Sequence, residues 1–238
     1  MIELYSGTPG SGKSLHCADL MKRWLNHWKS PVICNFSFNA KACNPKGWGS
    51  LLIVDNTQIT PDFLIFFSEK YRQLRKWNSV PEEHILLVID EAQLLFNARE
   101  WNKGNRASWI SFFTQHRKLG YRVILIAQFD RMLDRQIRSV LEYEHIHRKV
   151  KNVGKGGFIL NMLSGGGLHV CVKIYKPLNE KVSSEFFRGN RALYSLYDSY
   201  TLFVCVLRPD PERTGNPLTP IRCRHGRFIR SKTSVRII

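Results

Sequence analysis

Residues 7–14 read Gly-Thr-Pro-Gly-Ser-Gly-Lys-Ser, a complete match to the phosphate-binding pattern G-x-x-x-x-G-K-[ST]. The glycines of such a loop let successive backbone N–H groups curl around a phosphate chain. The lysine reaches the outer phosphates, and the last hydroxyl ligates Mg²⁺. The pattern also occurs by chance in Gly/Ser-rich loops. Here residues 2–5 predict a strand before the loop and the chain from Leu15 predicts a helix after it, which places phosphate at a helix N-terminus.

The stretch therefore predicts a nucleotide-binding loop. Lys13 is the predicted catalytic lysine and Ser14 a predicted Mg²⁺ ligand. The residues expected to contact the nucleotide are Gly7, Thr8, Pro9, Gly10, Ser11, Gly12, Lys13, Ser14 and Leu15.

The composition indicates a basic globular protein. Its 238 residues suffice for one α/β domain with a small appendage, and 36 Lys+Arg against 19 Asp+Glu give a net charge of +17. Such a balance favours a polyanionic partner, either nucleic acid or an anionic membrane surface, and a solvated basic surface is the alternative.

The six cysteines form no C-x-x-C pair, and no His/Cys group has zinc-ligand spacing. They are predicted to be reduced, mostly buried thiols of a cytosolic chain. For His116, His145 and His147, core or surface roles are expected rather than metal binding. No apolar run approaches the ~20 residues that span a bilayer, and the chain opens directly on its first strand, so neither a spanning helix nor a signal peptide is expected.

Strand and helix patterns alternate along the first 150 residues, which predicts βαβ units and a parallel sheet. An apolar stripe from Phe63 to Trp77 is expected to be core. The predicted strands are residues 2–5, 32–36, 51–54, 85–89, 123–127 and 143–150. The predicted helices begin after Thr60 and cover 108–119 and 131–140, the last capped by Asp130.

After Lys151 the pattern changes. Residues 158–163 and 168–175 flank Ser-Gly-Gly-Gly and predict a β-hairpin. The predicted organisation is a core of residues 1–150, a β-hairpin extension packed on it (151–207) and a basic C-terminal arm (208–238).

Polar residues follow two of the buried strands, at the sheet edge where ligands of parallel sheets bind. Asp90 is placed to ligate Mg²⁺ with Ser14, and Glu91 to polarise an attacking water. A buried acidic pair without such a role would carry a desolvation cost, which weakens the purely structural alternative. Gln128 either simply leaves the core or, if its strand lies between those bearing the phosphate loop and Asp90, faces the terminal phosphate.

Further motifs follow in a fixed order. They are Val-Ile-Asp-Glu-Ala-Gln at 88–93, Phe-Asn-Ala-Arg at 96–99, Gln-His-Arg-Lys-Leu-Gly at 115–120, Leu-Ile-Ala-Gln at 125–128, Asp-Arg-Gln-Ile-Arg at 134–138 and the strand bearing His145. With the phosphate loop, this series resembles the Zot (zonula occludens toxin-like) family, the morphogenesis ATPases encoded by gene I of filamentous phages. The resemblance covers residues 1–150 well and the hairpin region more loosely.

The resemblance implies a P-loop NTPase core with an additional central strand, related to the FtsK/HerA pumping ATPases. It implies Mg²⁺-dependent ATP hydrolysis that drives assembly and extrusion of a single-stranded DNA phage at the cytoplasmic face of the host inner membrane. The implied partners are further copies of the chain in a ring such as a hexamer, phage coat and assembly proteins, and a membrane-anchored partner. Arg117 matches a family arginine that could complete a neighbour's active site, with Arg99 and Arg138 as the other candidates.

Family members usually carry a transmembrane helix and an outer domain after the ATPase region. This chain contains neither, so a cytoplasmic fragment, or a membrane part supplied otherwise, is expected. The toxin-like activity of the family name belongs to the missing part and is not expected here.

Two basic segments could hold single-stranded DNA, namely residues 101–106 with Trp101 and residues 148–151. Anionic lipid headgroups are the alternative ligand. Three other functions stay open: a DNA-translocating or packaging ATPase, a small-molecule kinase, and a scaffold that binds ATP without turnover.

Overall fold

The computed structural model describes residues 1–39, 49–97, 103–152, 154–164 and 166–197. The predicted basic arm, Arg99 and Trp101 lie outside these ranges. The first 200 residues form one compact unit.

One mixed sheet organises this unit. Its strands are β1 (Ile2–Ser6), β2 (Val32–Cys34), β3 (Leu51–Ile53), β4 (Ile85–Ile89), β5 (Tyr121–Ile126), β6 (Tyr143–Lys149), β7 (Leu168–Tyr175) and β8 (Glu180–Arg188). They lie side by side in the order β3-β2-β4-β5-β1-β6-β7-β8. The neighbours from β3 to β6 are parallel, and β7 and β8 continue the sheet in antiparallel sense. Strand β5 therefore lies between β1 and β4, which confirms the predicted additional-strand fold.

The helices are α1 (Lys13–Arg23), α2 (Pro61–Arg75), α3 (Lys103–Gln115), α4 (Arg135–Ser139), α5 (Gly154–Leu163) and α6 (Arg191–Tyr194). Helix α2 begins as predicted, because the Thr60 hydroxyl accepts the Phe63 N–H at 3.2 Å. The cap predicted for α4 was wrong. Residues 130–132 form a separate 3₁₀ turn, and Asp134 caps α4 by accepting the Gln136 N–H at 2.8 Å. None of the helices that the structure describes is long and apolar enough to cross a membrane.

Both faces of the central sheet are covered by apolar side chains. Along β4, Ile85, Leu87 and Ile89 face the cluster that includes α2 and α3, while Leu86 and Val88 face the cluster around α1. All five are fully buried, and each such side chain contributes about 1.5–3 kcal/mol. The uninterrupted apolar run of β4 follows from this two-sided burial.

Two sequence predictions about apolar stretches need correction. Residues 158–163 are not a strand but the second half of α5, and the hairpin is formed by β7 and β8. A short apolar run fits a strand or a buried helix equally well, so its periodicity could not decide. In α2, Phe66 and Leu74 are not core, since each is 60% exposed, whereas Phe63 and Phe67 pack as predicted.

Candidate nucleotide-binding site

The predicted phosphate loop connects β1 to α1 at the carboxyl edge of the sheet. Gly7, Gly10 and Gly12 all have positive φ, at 141°, 70° and 99°. Gly7 donates its N–H to the Gln128 carbonyl at 3.0 Å, and Ser11 donates its N–H to the Thr8 carbonyl at 3.1 Å. The loop thus has the curled backbone that a phosphate chain requires, and it ends at the start of a helix.

Lys13 lies inside this loop. Its Nζ donates to the Gly7 carbonyl at 2.6 Å and to the Thr8 carbonyl at 3.2 Å. Burial lowers the pKa of Lys13, and the charges of Asp90 and Glu91 oppose that shift. The charges of the two predicted acids therefore act on Lys13, as expected if the three groups share one site.

One buried polar atom of the loop has no partner among the described residues. It is the hydroxyl oxygen of Ser11, a residue that is only 1% exposed. Buried polar atoms normally carry a hydrogen bond, so this group fits a loop that binds a polar ligand.

Asp90 is fixed at the tip of β4 by a residue that the sequence analysis missed. Asn35, at the end of β2, accepts the Asp90 N–H at 2.7 Å and donates its amide to the Asp90 carbonyl at 2.8 Å. Asn35 is a polar residue directly after an apolar strand, so the rule that identified Asp90 could have identified it too. Burial raises the pKa of Asp90, which is 4% exposed.

The residues around Asp90 test whether Mg²⁺ would fit between it and Ser14. The Tyr197 hydroxyl donates to Asp90 Oδ2 at 2.7 Å and also contacts the Ser14 side chain. A single oxygen atom therefore reaches both predicted ligands. Two oxygen donors converging on one point are what a hard cation such as Mg²⁺ requires, so the residues present fit the ion.

Glu91 follows Asp90 in a left-handed conformation, with φ of 47°. Its N–H donates to Asp90 Oδ1 at 2.8 Å, and its carboxylate accepts the Gln93 side-chain amide. The hydrogen bond between its N–H and Asp90 ties this turn to the Asp90 carboxylate.

Gln128 follows β5, which the fold places between β1 and β4. Its carbonyl receives the Gly7 N–H, so its backbone borders the phosphate loop. This is the strand position on which its predicted role depends.

Two further residues support the loop from β6 and β7. The sequence analysis missed His169 and named Lys149 only as part of a basic segment that could hold DNA. His169 of β7 lies with its Nδ1 2.8 Å from the Ser11 carbonyl, so the ring nitrogen donates. A Cβ added at Gly12 would lie 2.9 Å from that ring and 3.0 Å from Phe187. Lys149, at the end of β6, brings its Nζ to 3.1 Å from a Cβ built on Gly10. Neither His169 nor Lys149 has a local sequence signal for this position.

The candidate arginines lie elsewhere. Arg117 precedes β5, at the sheet edge opposite the phosphate loop, where it pairs with Glu142 at 3.1 Å and remains 57% exposed. It therefore does not enter the site of its own chain. Arg138 lies in α4, and its Nε is buried without a hydrogen-bond partner among the described residues.

The predicted basic loop 101–106 is in part helical, because α3 begins at Lys103. Arg106 also pairs with the buried Asp134 at 2.9 Å, so this partly exposed side chain already has an anionic partner within the protein. In the second basic segment, Arg148 is exposed and Lys149 faces the phosphate loop.

Comparisons with known proteins show which family and which relatives the chain matches. The family described as zonular occludens toxin (Zot) matches residues 1–202. The gene 1 protein of Enterobacteria phage I2-2 is 34% identical over 129 residues, which are 50% of this chain and 35% of that protein. The gene 1 protein of Salmonella phage IKe is 32% identical over 154 residues, 60% of this chain and 41% of that protein. The chain thus spans only about two fifths of these relatives.

Among solved structures, one ATPase domain resembles the fold with a TM-score of 0.53 and 11% sequence identity. The likeness covers 83% of this chain and 84% of that domain. At this sequence identity, the likeness supports the P-loop fold and no further property.

Proposed function

The chain belongs to the zonular occludens toxin (Zot) family of P-loop ATPases, and from this premise we propose that it hydrolyses ATP to drive assembly and extrusion of a filamentous phage. The observation that carries the proposal is the position of β5 between β1 and β4. This order brings the phosphate loop, Gln128 and the Asp90–Glu91 pair to one edge of the sheet. It supports a hydrolytic site rather than a loop that only binds phosphate.

Each residue has a definite task in this proposal. Lys13 leaves the Gly7 and Thr8 carbonyls and binds the outer phosphates, where its charge stabilises the transferred phosphoryl group. Glu91 accepts a hydrogen bond from the attacking water and polarises it. Gln128, beside the loop, contacts the terminal phosphate. Mg²⁺ held by Ser14 and Asp90 would neutralise charge on the phosphate oxygens.

The exposed Arg117 supports a homo-oligomer such as a ring. A catalytic role for Arg117, which lies at the opposite edge from its own site, would have to be in a neighbouring chain, where it would stabilise the charge of the transition state. Mixing two variant chains tests this arrangement. Arg117→Ala and Glu91→Gln chains, each inactive alone, should recover activity together, because some sites then combine an intact Glu91 with an intact Arg117.

The relatives named gene 1 protein, which come from phages, support the role in virion export. We place the chain at the cytoplasmic face of the host inner membrane, with phage coat and assembly proteins and a membrane-anchored protein as partners. Single-stranded DNA is the proposed cargo, which the net charge of +17 favours.

Glu91→Gln is the central test, with Glu180→Gln on the exposed strand β8 as its control. In the first variant, turnover should fall about 10²- to 10⁴-fold while calorimetry finds unchanged ATP affinity. Release of virions from host cells should stop, although phage DNA is still made. The control should match the wild-type chain in all three assays.

Other outcomes would point to other functions. Unchanged turnover in Glu91→Gln would indicate a scaffold, and ATP consumption that requires a metabolite would indicate a kinase. A packaging ATPase would be stimulated by DNA but not by inner-membrane vesicles.

A further inference from the structure

Three side chains from three separate elements converge beneath the phosphate loop. They are His16 of α1, His147 of β6 and Cys171 of β7. One nitrogen of each histidine and the Cys171 sulfur all lie within 4.8 Å of one another. The convergence follows from the sheet register, because His147 and Cys171 are directly opposed across the β6–β7 pair.

The hydrogen bonds of His147 fix its tautomer. Its Nδ1 lies 2.8 Å from the His145 carbonyl and 3.3 Å from the Ser6 carbonyl, and carbonyls only accept. Nδ1 therefore carries the proton, and the neutral ring turns the lone pair of Nε2 toward His16. The two ring nitrogens, His16 Nδ1 and His147 Nε2, are 2.9 Å apart. A neutral imidazole is the form that ligates metals, and the hydrogen bonds of His147 place its free lone pair on the nitrogen that faces His16.

Cys171 is oriented by a surrounding layer of polar groups. Its sulfur lies 3.5 Å from His145 Nδ1, while His145 Nε2 lies 3.0 Å from a carboxylate oxygen of Glu3. Arg122 holds the same carboxylate at 2.8 Å. Glu3 therefore fixes the orientation of His145, and His145 in turn fixes the position of the Cys171 sulfur.

We propose that His16 Nδ1, His147 Nε2 and Cys171 Sγ form a zinc-binding site. Two imidazole nitrogens and one thiolate suit Zn²⁺. The ion binds three protein ligands at such sites, and a fourth ligand completes the tetrahedron. The same donors disfavour Mg²⁺, which prefers oxygen, so the two ions would occupy different sites.

Binding breaks the S–H bond of Cys171 and forms a Zn–S bond, and the proton leaves to solvent. The hydrogen between the two rings moves from His16 Nδ1 to its Nε2, which frees the Nδ1 lone pair for the ion. No electron is transferred, and one proton is released per ion bound.

The site would fasten the phosphate loop to the antiparallel strands. His16 lies two residues after Ser14, and the His147 carbonyl occupies the space that a Cβ on Gly7 would need. An ion that joins α1 to β6 and β7 would therefore stabilise the loop from both of its ends.

The test uses the whole chain, reduced and stripped with EDTA, and Zn²⁺ alone in a magnesium-free buffer. A chromophoric chelator should lose Zn²⁺ to the protein, and Co²⁺ should give a sulfur-to-cobalt charge-transfer band. Cys171→Ser should abolish that band and weaken Zn²⁺ binding about 100-fold or more. Cys34→Ser is the matched control, because it changes a buried thiol whose sulfur donates to the Phe36 carbonyl, outside the cluster.

Folding is controlled by comparing circular dichroism and thermal unfolding in EDTA, where Cys171→Ser and the wild-type chain should agree. If Cys171→Ser does not fold, His16→Asn at the half-buried edge of the cluster supplies the same test. A wild-type chain that leaves Zn²⁺ on the chelator would overturn the site and leave only a pair of hydrogen-bonded histidines. A cobalt charge-transfer band that persists in Cys171→Ser would also overturn the site. Asp90→Asn should keep full zinc binding, which separates this site from that of the nucleotide.

Discussion

The phosphate loop and the cluster of His16, His147 and Cys171 are neighbours, but they are built in different ways. The loop offers backbone N–H groups and one lysine, all from a single run of residues with left-handed glycines. The cluster offers side-chain donors from three elements, and its two histidines are 131 positions apart. The loop depends on local conformation, and the cluster depends on sheet register. Substitutions in the two regions should therefore fail in different ways.

Asp90→Asn should separate activity from stability most clearly. Turnover should fall about 100- to 1000-fold, because a metal ligand and charge partner of Lys13 is lost. The free energy of unfolding in urea should not fall, since burial raises the pKa of Asp90 and a neutral amide removes that desolvation cost. Parallel losses of activity and stability would instead make Asp90 a structural residue.

Glu3→Gln should lower the stability of the strands around the cluster. The carboxylate is faced by Arg122 of β5, His145 of β6 and Lys173 of β7. Burial alone would raise its pKa, but the hydrogen bond from His145 and the charge of Arg122 outweigh it and lower the pKa to about 2 from 4.5. A folded-state pKa below the unfolded one stabilises the protein above pH 4.5, and this stabilisation is lost as pH falls toward 2.

The shift corresponds to on the order of 3 kcal/mol at neutral pH. Urea unfolding at a series of pH values, with EDTA present, should find that loss in Glu3→Gln together with a flatter acid slope. Glu180→Gln is the control. An unchanged acid slope in Glu3→Gln would mean that other carboxylates set it.

Gly7→Ala tests the junction of the two regions. The new methyl group would collide with the His147 carbonyl oxygen at a φ of +141°, so we expect a loss of about 2 kcal/mol or more. Gly156→Ala in α5 is the matched substitution, since no atom of the described residues outside its own stretch of helix lies within 4 Å of its added Cβ. It should stabilise the chain by about 0.5–1 kcal/mol. Equal thermal shifts for the two variants would contradict the close contact.

Tyr197→Phe should have the smallest effect. It removes the hydroxyl that contacts both Asp90 and Ser14, so the Mg²⁺ concentration for half-maximal hydrolysis should fall about fivefold, the equivalent of about 1 kcal/mol. Tyr194→Phe, on the exposed face of α6, should leave this concentration unchanged. If both variants behave alike, the Tyr197 hydroxyl does not compete with the ion.

The residues that the sequence could predict are those encoded in short consecutive patterns. The phosphate loop, Asp90 and the inserted strand that precedes Gln128 all depend on local runs or on the order of strands. Asn35 obeys the same rule and was overlooked. Tyr197 and His169 reach the loop only through the path of the chain after β6, which no local pattern specifies. The cluster was missed because zinc-ligand spacing was sought along the chain, whereas register brings its members together.

Gly12 has a mechanical consequence. It touches both His169 of β7 and Phe187 of β8, with no room for a side chain between them. A displacement of the exposed outer strand β8 would therefore move these two rings against the start of α1. The packing thus couples the outer strand β8 to the loop at which we propose that the nucleotide binds.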